Sequence, residues 1–245
     1  MTFENAETYC AALTLGGYTD WRLPTAQEAF SMLNHGTSNP ALNLAVFPNS
    51  GAEYWWTSEK QAGNNSKIWA TNAGGGIGNH PKNETLSAGG TKRFHVRAVR
   101  DMQAPALIAF RFSENGDGAI TDNLTHLVWQ KTPAPDSMTW ENALVFAENL
   151  ALSGSDDWRL PNIKELQSLN DESLANPSVD PAFFPEIGLK KYWSGTSLPN
   201  QPTKAWYLDT HFGITTYELK TRKLNVFCVR GNGSIPVSDQ ALTHA

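Results

Sequence analysis

Asp20-Trp-Arg-Leu-Pro24 and Asp157-Trp-Arg-Leu-Pro161 are the same five residues, 137 positions apart in a chain of 245 residues. The match extends upstream, where Thr2–Ala6 and Thr139–Ala143 differ at one position. From residue 2 to residue 48, which is 47 positions, 19 are identical at this offset without a gap. Self-similarity of this kind indicates a repeated structural unit. The sequence therefore predicts two tandem copies of one domain.

The second halves of the copies match less evenly. The predicted pairs are Trp69 with Trp206 at the same offset, Tyr54-Trp55 with Tyr192-Trp193 after a shift of one residue, and Val99-Arg100 with Val229-Arg230 at an offset of 130. The change from 137 to 130 gives the first copy seven extra residues. They lie between Asn79 and Arg93, in a polar stretch that indicates a longer loop.

Both copies open with the pattern of two short helices. Thr2 and Thr139 are suitable N-caps, because a threonine hydroxyl accepts hydrogen bonds from the free N–H groups of the first turn. Thr25–Glu28 is a capping box, and Asn162–Glu165 is a close variant. Strands are predicted at Tyr54–Ser58, Ile68–Asn72, Phe94–Arg100, Tyr192–Thr196, Ala205–Thr210 and Val226–Arg230. Helices followed by short strands predict α+β domains with a small antiparallel sheet.

A turn-rich segment precedes the second copy. Phe110–Asp122 contains Asn-Gly and Asp-Gly turn signals, which predict a hairpin that continues to Trp129. The first copy shows no counterpart, so either the chain is a trimmed piece or the hairpin borders both domains. The predicted domains are residues 1–101 and 105–231, the second including the hairpin, followed by a polar tail at 232–245.

The composition argues against several classes of partner. The net charge is −5 and no block of Lys or Arg occurs, which disfavours nucleic acid and anionic membranes. No apolar run is long enough for membrane insertion, and no secretory signal follows Met1. If the protein is exported, its signal peptide is expected upstream of this chain or already removed.

Taken together, the motifs resemble the Lcl C-terminal domain family, a bacterial domain of unknown function numbered 1566. The family pattern contains a Gly-Asp-Gly hairpin, a Thr-Trp-Glu helix, an Asp-Trp-Arg-Leu-Pro turn, two Trp-containing strands and a final Cys-Val-Arg strand. The second copy follows it with Asn115–Asn123, Leu127–Gln130, Thr139–Ala143, Asp157–Pro161, Tyr192–Ser194, Ala205–Asp209 and Cys228–Arg230. The resemblance covers nearly all of the chain except the tail.

This resemblance implies C-type-lectin-like domains, in a fold group shared with formylglycine-generating enzymes. It also implies adhesion at a bacterial surface, because the family's named member is an adhesin that binds sulfated glycans. The family often pairs a cysteine in the first helix with one in the last strand. Here the first copy keeps only Cys10 and the second only Cys228. They are expected either as two free, buried thiols or as a bridge between the domains.

Residues that both copies keep are interpreted as scaffold. Arg22 and Arg159 each lie six residues before a glutamate, Glu28 or Glu165, and an ion pair would tie the turn to the second helix. An anion clamp is the functional alternative for the two arginines. The other residues assigned to the scaffold are Trp21, Trp55, Trp69, Trp158, Trp193 and Trp206.

Residues that the copies do not share are interpreted as candidate ligand contacts. In the predicted alignment, Trp56 corresponds to Ser194 of the second copy. Strand alternation predicts that the Trp56 ring points away from that of Trp55. An exposed ring there could stack on a sugar, or contact a protein or the other domain. The polar candidates are Asn64, Asn65, His80, Lys82 and Asn83 in the first copy and Asp209, His211, Tyr217, Lys220, Arg222 and Lys223 in the second. The last three cations form a local basic patch that could meet a sulfate or carboxylate. A solvated loop is the alternative.

Signals for metals and catalysis are weak. The Asn115–Gly118 turn suggests calcium, but Leu124 lies where an EF-hand needs a bidentate glutamate, so no metal or cofactor is expected. The six histidines are scattered, and no Gly-x-Ser-x-Gly, HExxH or phosphate-binding loop occurs. The sequence therefore predicts a non-catalytic, extracytoplasmic binding or adhesion module whose favoured ligand is an extracellular glycan. The alternative is a structural or assembly module that contacts surface proteins.

Overall fold

The computed structural model describes residues 1–87, 90, 92–102 and 110–231, which divide into two units. Unit 1 contains the described residues up to Met102, and unit 2 those from Phe110 to Gly231. The helices of unit 1 are α1 (Phe3–Ala12) and α2 (Ala26–Ser31), and those of unit 2 are α3 (Trp140–Glu148) and α4 (Ile163–Ser168). Strands follow the helices in each unit, which is the α+β composition that the sequence predicts. None of the helices in the described ranges is long and apolar enough to cross a membrane.

The second helix of each unit begins at a complete capping box. Thr25 accepts a hydrogen bond from the backbone N–H of Glu28, whose carboxylate accepts one from the Thr25 N–H. Asn162 and Glu165 make the same pair of bonds in unit 2. Free N–H groups at these helix starts are thereby satisfied.

The first helix of each unit begins after a threonine. The Thr2 hydroxyl accepts a hydrogen bond from the Asn5 N–H at 3.4 Å. The Thr139 side chain makes no such bond, so the hydroxyl cap predicted there is wrong. Its carbonyl nevertheless accepts the first helical bond from Ala143, at 2.9 Å.

The strands of unit 1 form one sheet. They are β1 (Tyr54–Gln61), β2 (Asn64–Asn72), β3 (Ile77–Pro81) and β4 (Phe94–His95), in the order β4-β1-β2-β3. β2 is antiparallel to β1 and β3, whereas β4 runs parallel to β1. The strand predicted at Phe94–Arg100 is shorter than expected, because beyond β4 only Val99 pairs again, through an isolated bridge to Arg22.

Unit 2 contains two groups of strands. A meander of β5 (Phe112–Glu114), β6 (Ala119–Asp122) and β7 (Val128–Gln130) precedes its helices, as the turn signals predict. β8 (Lys191–Leu198), β9 (Gln201–Asp209) and β10 (Ile214–Leu219) are antiparallel neighbours in that order. The short β11 (Val229–Arg230) pairs with β7, so the meander and the end of the unit form a second sheet, β11-β7-β6-β5.

The strand register corrects the sequence alignment. Each residue pair between β1 and β2 recurs between β8 and β9 137 positions later, including the two irregularities. The indole N–H of Trp56 donates to the Met1 carbonyl at 3.0 Å, and that of Trp193 donates to the Met138 carbonyl at 3.0 Å. The one-residue shift predicted in this region is therefore wrong.

The same register overturns the prediction of an exposed Trp56. Its side chain is 0% exposed, and its ring stacks on Phe94 with 4.4 Å between centroids. Trp56 is the core equivalent of Trp193. The position that differs between the copies is Trp55, which corresponds to Tyr192.

Each unit buries its own apolar clusters. In unit 1, α1 packs on the sheet through Phe3, Ala6 and Cys10. In unit 2, one cluster repeats this arrangement around α3 and Trp193. A second cluster joins α4 and the strands to the meander, and contains Phe112, Ile120, Leu127, Trp129, Leu166, Phe184, Tyr192 and Phe227. The meander therefore completes the core of unit 2.

Both cysteines are free and buried. Of the two alternatives that the sequence left open, the structure has the free thiols. Burial raises the pKa of the Cys228 thiol to about 12 and also raises the pKa of Cys10. Both therefore stay protonated near neutral pH and act as small apolar side chains.

Candidate functional site

An arginine–glutamate pair holds the Asp-Trp-Arg-Leu-Pro turn of each unit. Arg159 donates two hydrogen bonds to Glu165 at 2.7 and 2.8 Å, and Arg22 donates two to Glu28, both at 2.7 Å. The indole N–H groups donate to carbonyls six residues earlier, Trp21 to Leu15 at 3.2 Å and Trp158 to Leu152 at 3.1 Å. Both arginines thus bind a glutamate of their own unit, and each glutamate also closes a capping box. These contacts support the scaffold interpretation over an anion clamp.

Unit 1 has an open cleft of about 410 Å³ between the loop after α2 and the segment around β4. Its floor is aromatic, with Trp55 buried and Phe47 half-buried. At its rim, the Val46 side chain is 46% exposed. The lining residues are Val46, Phe47, Pro48, Asn49, Ser50, Gly51, Glu53, Trp55, His95, Val96 and Arg97. The cleft thus combines an apolar floor with several polar groups.

Arg97 is the cation of this cleft. Its guanidinium lies 4.5 Å from the Phe47 ring centroid and 5.0 Å from that of Trp55, and it donates a hydrogen bond to the Ser50 hydroxyl at 2.7 Å. Burial lowers the pKa of Arg97 from its ordinary value, but an arginine remains charged in proteins. No carboxylate of the described residues forms an ion pair with it. Arg97 is therefore suited to an incoming anionic group.

A second polar group lies at the edge of the cleft. Glu53 accepts a hydrogen bond from the Arg93 backbone N–H at 2.5 Å, and one of its oxygens is 3.9 Å from Nε2 of His95. That separation is too long for a hydrogen bond. Glu53 is therefore held by the backbone rather than by an ion pair to Arg97.

Unit 2 fills the equivalent space with its own residues. Phe227 stands where unit 1 has Arg97, and it contacts Phe184 at 5.5 Å and Tyr192 at 5.9 Å, the equivalents of Phe47 and Trp55. Trp129 of the meander stacks on Phe227 at 5.6 Å. Phe184 is 0% exposed as a result. The described residues of unit 1 contain no such meander, so its surface stays open.

The model of the Lcl C-terminal domain matches residues 1–100 and, separately, residues 118–230. The chain belongs to this family. The two matches correspond to the two copies seen in the sequence, so the chain contains tandem Lcl C-terminal domains. A comparison with curated proteins finds no match.

In the first Lcl C-terminal domain, His80 is tied into the protein. Its Nδ1 lies 3.1 Å from a carboxylate oxygen of Glu84, and its ring contacts Tyr54 and Phe94, both at 5.0 Å between centroids. Burial lowers the pKa of His80, and this effect outweighs the opposite effect of Glu84. The neutral ring is thus favoured near neutral pH.

The other polar candidates of the first Lcl C-terminal domain lie outside the cleft. Lys82 forms an ion pair with Glu4 at 2.8 Å, which raises the pKa of Lys82. The Asn64 side chain accepts hydrogen bonds from Ser66, a local turn. Asn65 and Asn83 are exposed. The structure therefore does not gather the predicted residues of this domain into one site.

The candidates of the second Lcl C-terminal domain are also divided. Lys220 lies 3.7 Å from the Trp140 ring centroid and donates to the Ser197 hydroxyl at 2.8 Å. Tyr217 is partly exposed and contacts the buried Trp206 edge-on at 5.5 Å. The Asp209 side chain accepts a hydrogen bond from the backbone N–H of His211, and the His211 ring stacks on Phe212. Arg222 and Lys223 are exposed. The basic patch is thus one engaged lysine beside two exposed cations.

The region of the suspected calcium loop forms the turn between β5 and β6. Asp117 accepts the Ala119 N–H at 3.2 Å, and Asn115 accepts the Thr121 hydroxyl at 3.0 Å. Over the described ranges, no three or more His, Cys, Asp and Glu side chains come together as a metal group. The side chains of Asp117 and Asn115 therefore accept hydrogen bonds from within the hairpin itself.

Sequence reasoning missed the residues that make the cleft. Phe47 is identical to Phe184 within the stretch matched without a gap, and Trp55 is among the residues that the sequence assigns to the scaffold. Arg97 was not singled out, although it replaces Phe227 at the offset of 130. Without the one-residue shift, Trp55 aligns with Tyr192 and is an unshared position, so the signal missing for Trp55 is the register of β1. Arg97 is already an unshared position at the offset of 130.

Proposed function

We propose that the chain is a non-catalytic binding module that acts outside the cytoplasm at a bacterial surface, and that the cleft of unit 1 holds its partner. The observation that carries this proposal is the contrast between the units. A surface that unit 2 covers with its own aromatic residues is open among the described residues of unit 1 and carries a half-buried cation, Arg97. Exposed apolar surface next to a charged group is typical of binding sites.

The C-type-lectin-like relationship belongs to this proposal. Each unit has two helices ahead of a small sheet, which is compatible with the relationship implied by the family resemblance. The location outside the cytoplasm rests on the same resemblance.

Two ligand classes fit the chemistry of the cleft. A glycan with a carboxylate or sulfate would place its anion at Arg97 and an apolar sugar face over Phe47. A polypeptide is the second candidate, and it is favoured by the fact that unit 2 covers the same surface with a β-meander. Both candidates need Arg97 and the aromatic floor.

The test of this proposal uses the immobilised full chain. Retention is measured on a panel of neutral, carboxylated and sulfated glycans and on a panel of extracellular matrix proteins. We expect at least one partner, with retention lost in Arg97→Phe and kept in Arg222→Ala, because the second substitution alters only the exposed patch of unit 2. Loss in Arg222→Ala but not in Arg97→Phe would move the site to unit 2. Absence of any partner would contradict the proposed function.

A further inference from the structure

The Asn-Gly turn between β5 and β6 carries chemistry that the proposed binding function does not use. We infer that Asn115 is a site of spontaneous deamidation, with water as the reactant, and that its isoaspartate product loosens the core of unit 2. This inference is independent of the proposed function, because it concerns a turn of unit 2 and not the cleft of unit 1. Three features support it: the exposure of the turn, the space around Gly116, and the apolar residues that the hairpin buries.

The reaction needs a backbone nitrogen next to a side-chain amide. The Gly116 nitrogen attacks Cγ of Asn115, an N–C bond forms, and the side-chain nitrogen leaves as ammonia with the proton of the attacking N–H. Water then opens the five-membered imide at either of its two carbonyl carbons, which gives aspartate or isoaspartate. In isoaspartate the main chain runs through the side-chain carbon, so it is one methylene longer.

The folded turn leaves this reaction open. Residues 113–118 are all exposed, and the Gly116 N–H donates to no backbone carbonyl among the described residues. A Cβ added at Gly116 would meet nothing within 4 Å, so there is room for the imide ring, and glycine lacks the Cβ that hinders the attack elsewhere. The Asn115 side chain accepts a hydrogen bond from the exposed Thr121 hydroxyl at 3.0 Å and is not packed in the core.

Other exposed asparagines have a larger residue after them. Asn65, Asn83 and Asn149 are followed by serine, glutamate and leucine. A second Asn-Gly pair, Asn232-Gly233, lies outside the described residues. Because a side chain on the following residue hinders the attacking nitrogen, Asn115 is expected to react before the three exposed asparagines.

The hairpin places apolar residues in a core of unit 2. Phe112 of β5 and Ile120 of β6 are buried there with Trp129. Their positions depend on the register of β5 and β6, and the Asn115 N–H closes the turn by donating to the Ala119 carbonyl at 3.1 Å. A longer main chain in this turn disturbs the register, so the packed side chains lose contacts. The aspartate product keeps the length of the main chain and adds only a charge.

The first test uses the full chain, fresh and after ageing at mildly alkaline pH, where the attacking nitrogen loses its proton more readily. Peptide mapping by mass spectrometry measures conversion, and chromatography separates the aspartate and isoaspartate peptides. We expect conversion at Asn115 ahead of Asn65, Asn83 and Asn149, and its loss in Gly116→Ala, where the new Cβ hinders the attack. Conversion of Asn115 in the urea-unfolded chain but not in the native chain would overturn the inference, because the fold would then protect the amide.

The second test measures the stability of unit 2 through its buried thiol, by labelling Cys228 with iodoacetamide in a urea series. Ageing is expected to shift the labelling midpoint of the wild type to lower urea and to leave that of Asn115→Ser unchanged, because this variant has no amide to lose. Asn115→Asp is the control for charge, and its midpoint is expected to stay near that of the fresh wild type. An aged wild type that contains isoaspartate but unfolds like aged Asn115→Ser would contradict the inference. A full shift in fresh Asn115→Asp would also contradict it, because charge and not main-chain length would then be the cause.

Discussion

At the scale of single residues, the glutamate of the Asp-Trp-Arg-Leu-Pro turn does two things at once. Glu165 is buried, accepts two hydrogen bonds from Arg159, and also accepts the N–H of Asn162 at the helix cap. A carboxylate buried this way depends on its partner, because removing the cation leaves an uncompensated charge. The recurrence of the arginine–glutamate pair and the capping box in both units supports the scaffold interpretation.

The first prediction concerns this pair. Arg159→Ala is expected to lower the free energy of unfolding of unit 2 by about 3 kcal/mol, because it strands a buried carboxylate. Arg22→Ala is the matched variant, and about 1 kcal/mol is expected for it, since Glu28 keeps more contact with water. Chemical denaturation measures both. An Arg159→Ala chain that unfolds like wild type yet loses its partner would show that the arginine is a binding residue.

The second prediction concerns pH. Burial raises the pKa of Glu28, but the hydrogen bonds from Arg22 and the Thr25 N–H outweigh it, so the folded pKa lies below the ordinary value of 4.5. The unfolded chain then binds more protons, and the contribution of Glu28 to stability is complete above that value and lost as pH falls through the folded pKa.

Glu28→Gln is therefore expected to lower the melting temperature at pH 7 and to reduce its further decrease between pH 5 and pH 3. Differential scanning calorimetry of the full chain measures this, with Glu7→Gln as an exposed control in the same unit. If the melting temperature of Glu28→Gln decreased between pH 5 and pH 3 by as much as that of the wild type, another group would determine the acid sensitivity.

At the scale of elements, two turns between strands of unit 2 contain a glycine with a positive φ. The turn between β9 and β10 contains Gly213, at φ 86°, and a Cβ added there would lie 2.1 Å from the side-chain oxygen of Asn170, which is buried. The turn between β5 and β6 contains Gly116 at φ 80°, with open space around it. The two glycines therefore separate the cost of the backbone conformation from the cost of a clash.

The third prediction compares them. Gly116→Ala is expected to destabilise unit 2 by about 1 kcal/mol, through its backbone conformation alone. Gly213→Ala is expected to cost at least about 1 kcal/mol more, because the buried Asn170 must also move. Urea unfolding of the two variants measures the difference. Equal losses would mean that Asn170 relaxes freely.

At the scale of the whole molecule, the described residues of the two units cover the same aromatic surface to different extents. The meander contributes Phe112, Ile120 and Trp129 to a core of unit 2. Over the residues that the structure describes, unit 1 has no equivalent contribution, and Phe47 remains half-buried. Since buried apolar area is the main source of stability, the two units should differ in their resistance to unfolding.

The fourth prediction uses the two buried thiols, of which each unit has one. Burial raises the pKa of both, so that neither should react with iodoacetamide in the native protein. In a urea series, Cys10 is expected to become labelled at a lower urea concentration than Cys228, because the described residues of unit 1 include no meander over its core. Peptide mapping by mass spectrometry reads each site separately. Labelling of both cysteines at the same urea midpoint would mean that the two units unfold together. Absence of label after full unfolding would indicate a disulfide bridge between Cys10 and Cys228.

The sequence alone determined the repeat, the helices with three of their four side-chain caps, the meander and the arginine–glutamate pairs, because all of these depend on short spacings and turn chemistry. It misplaced Trp56, because a one-residue error in a strand moves a side chain to the opposite face. The tertiary structure decided which residues face the open cleft. Phe47, Trp55 and Arg97 come from separate parts of the chain, and their contact follows from strand pairing over long separations, which local patterns do not encode.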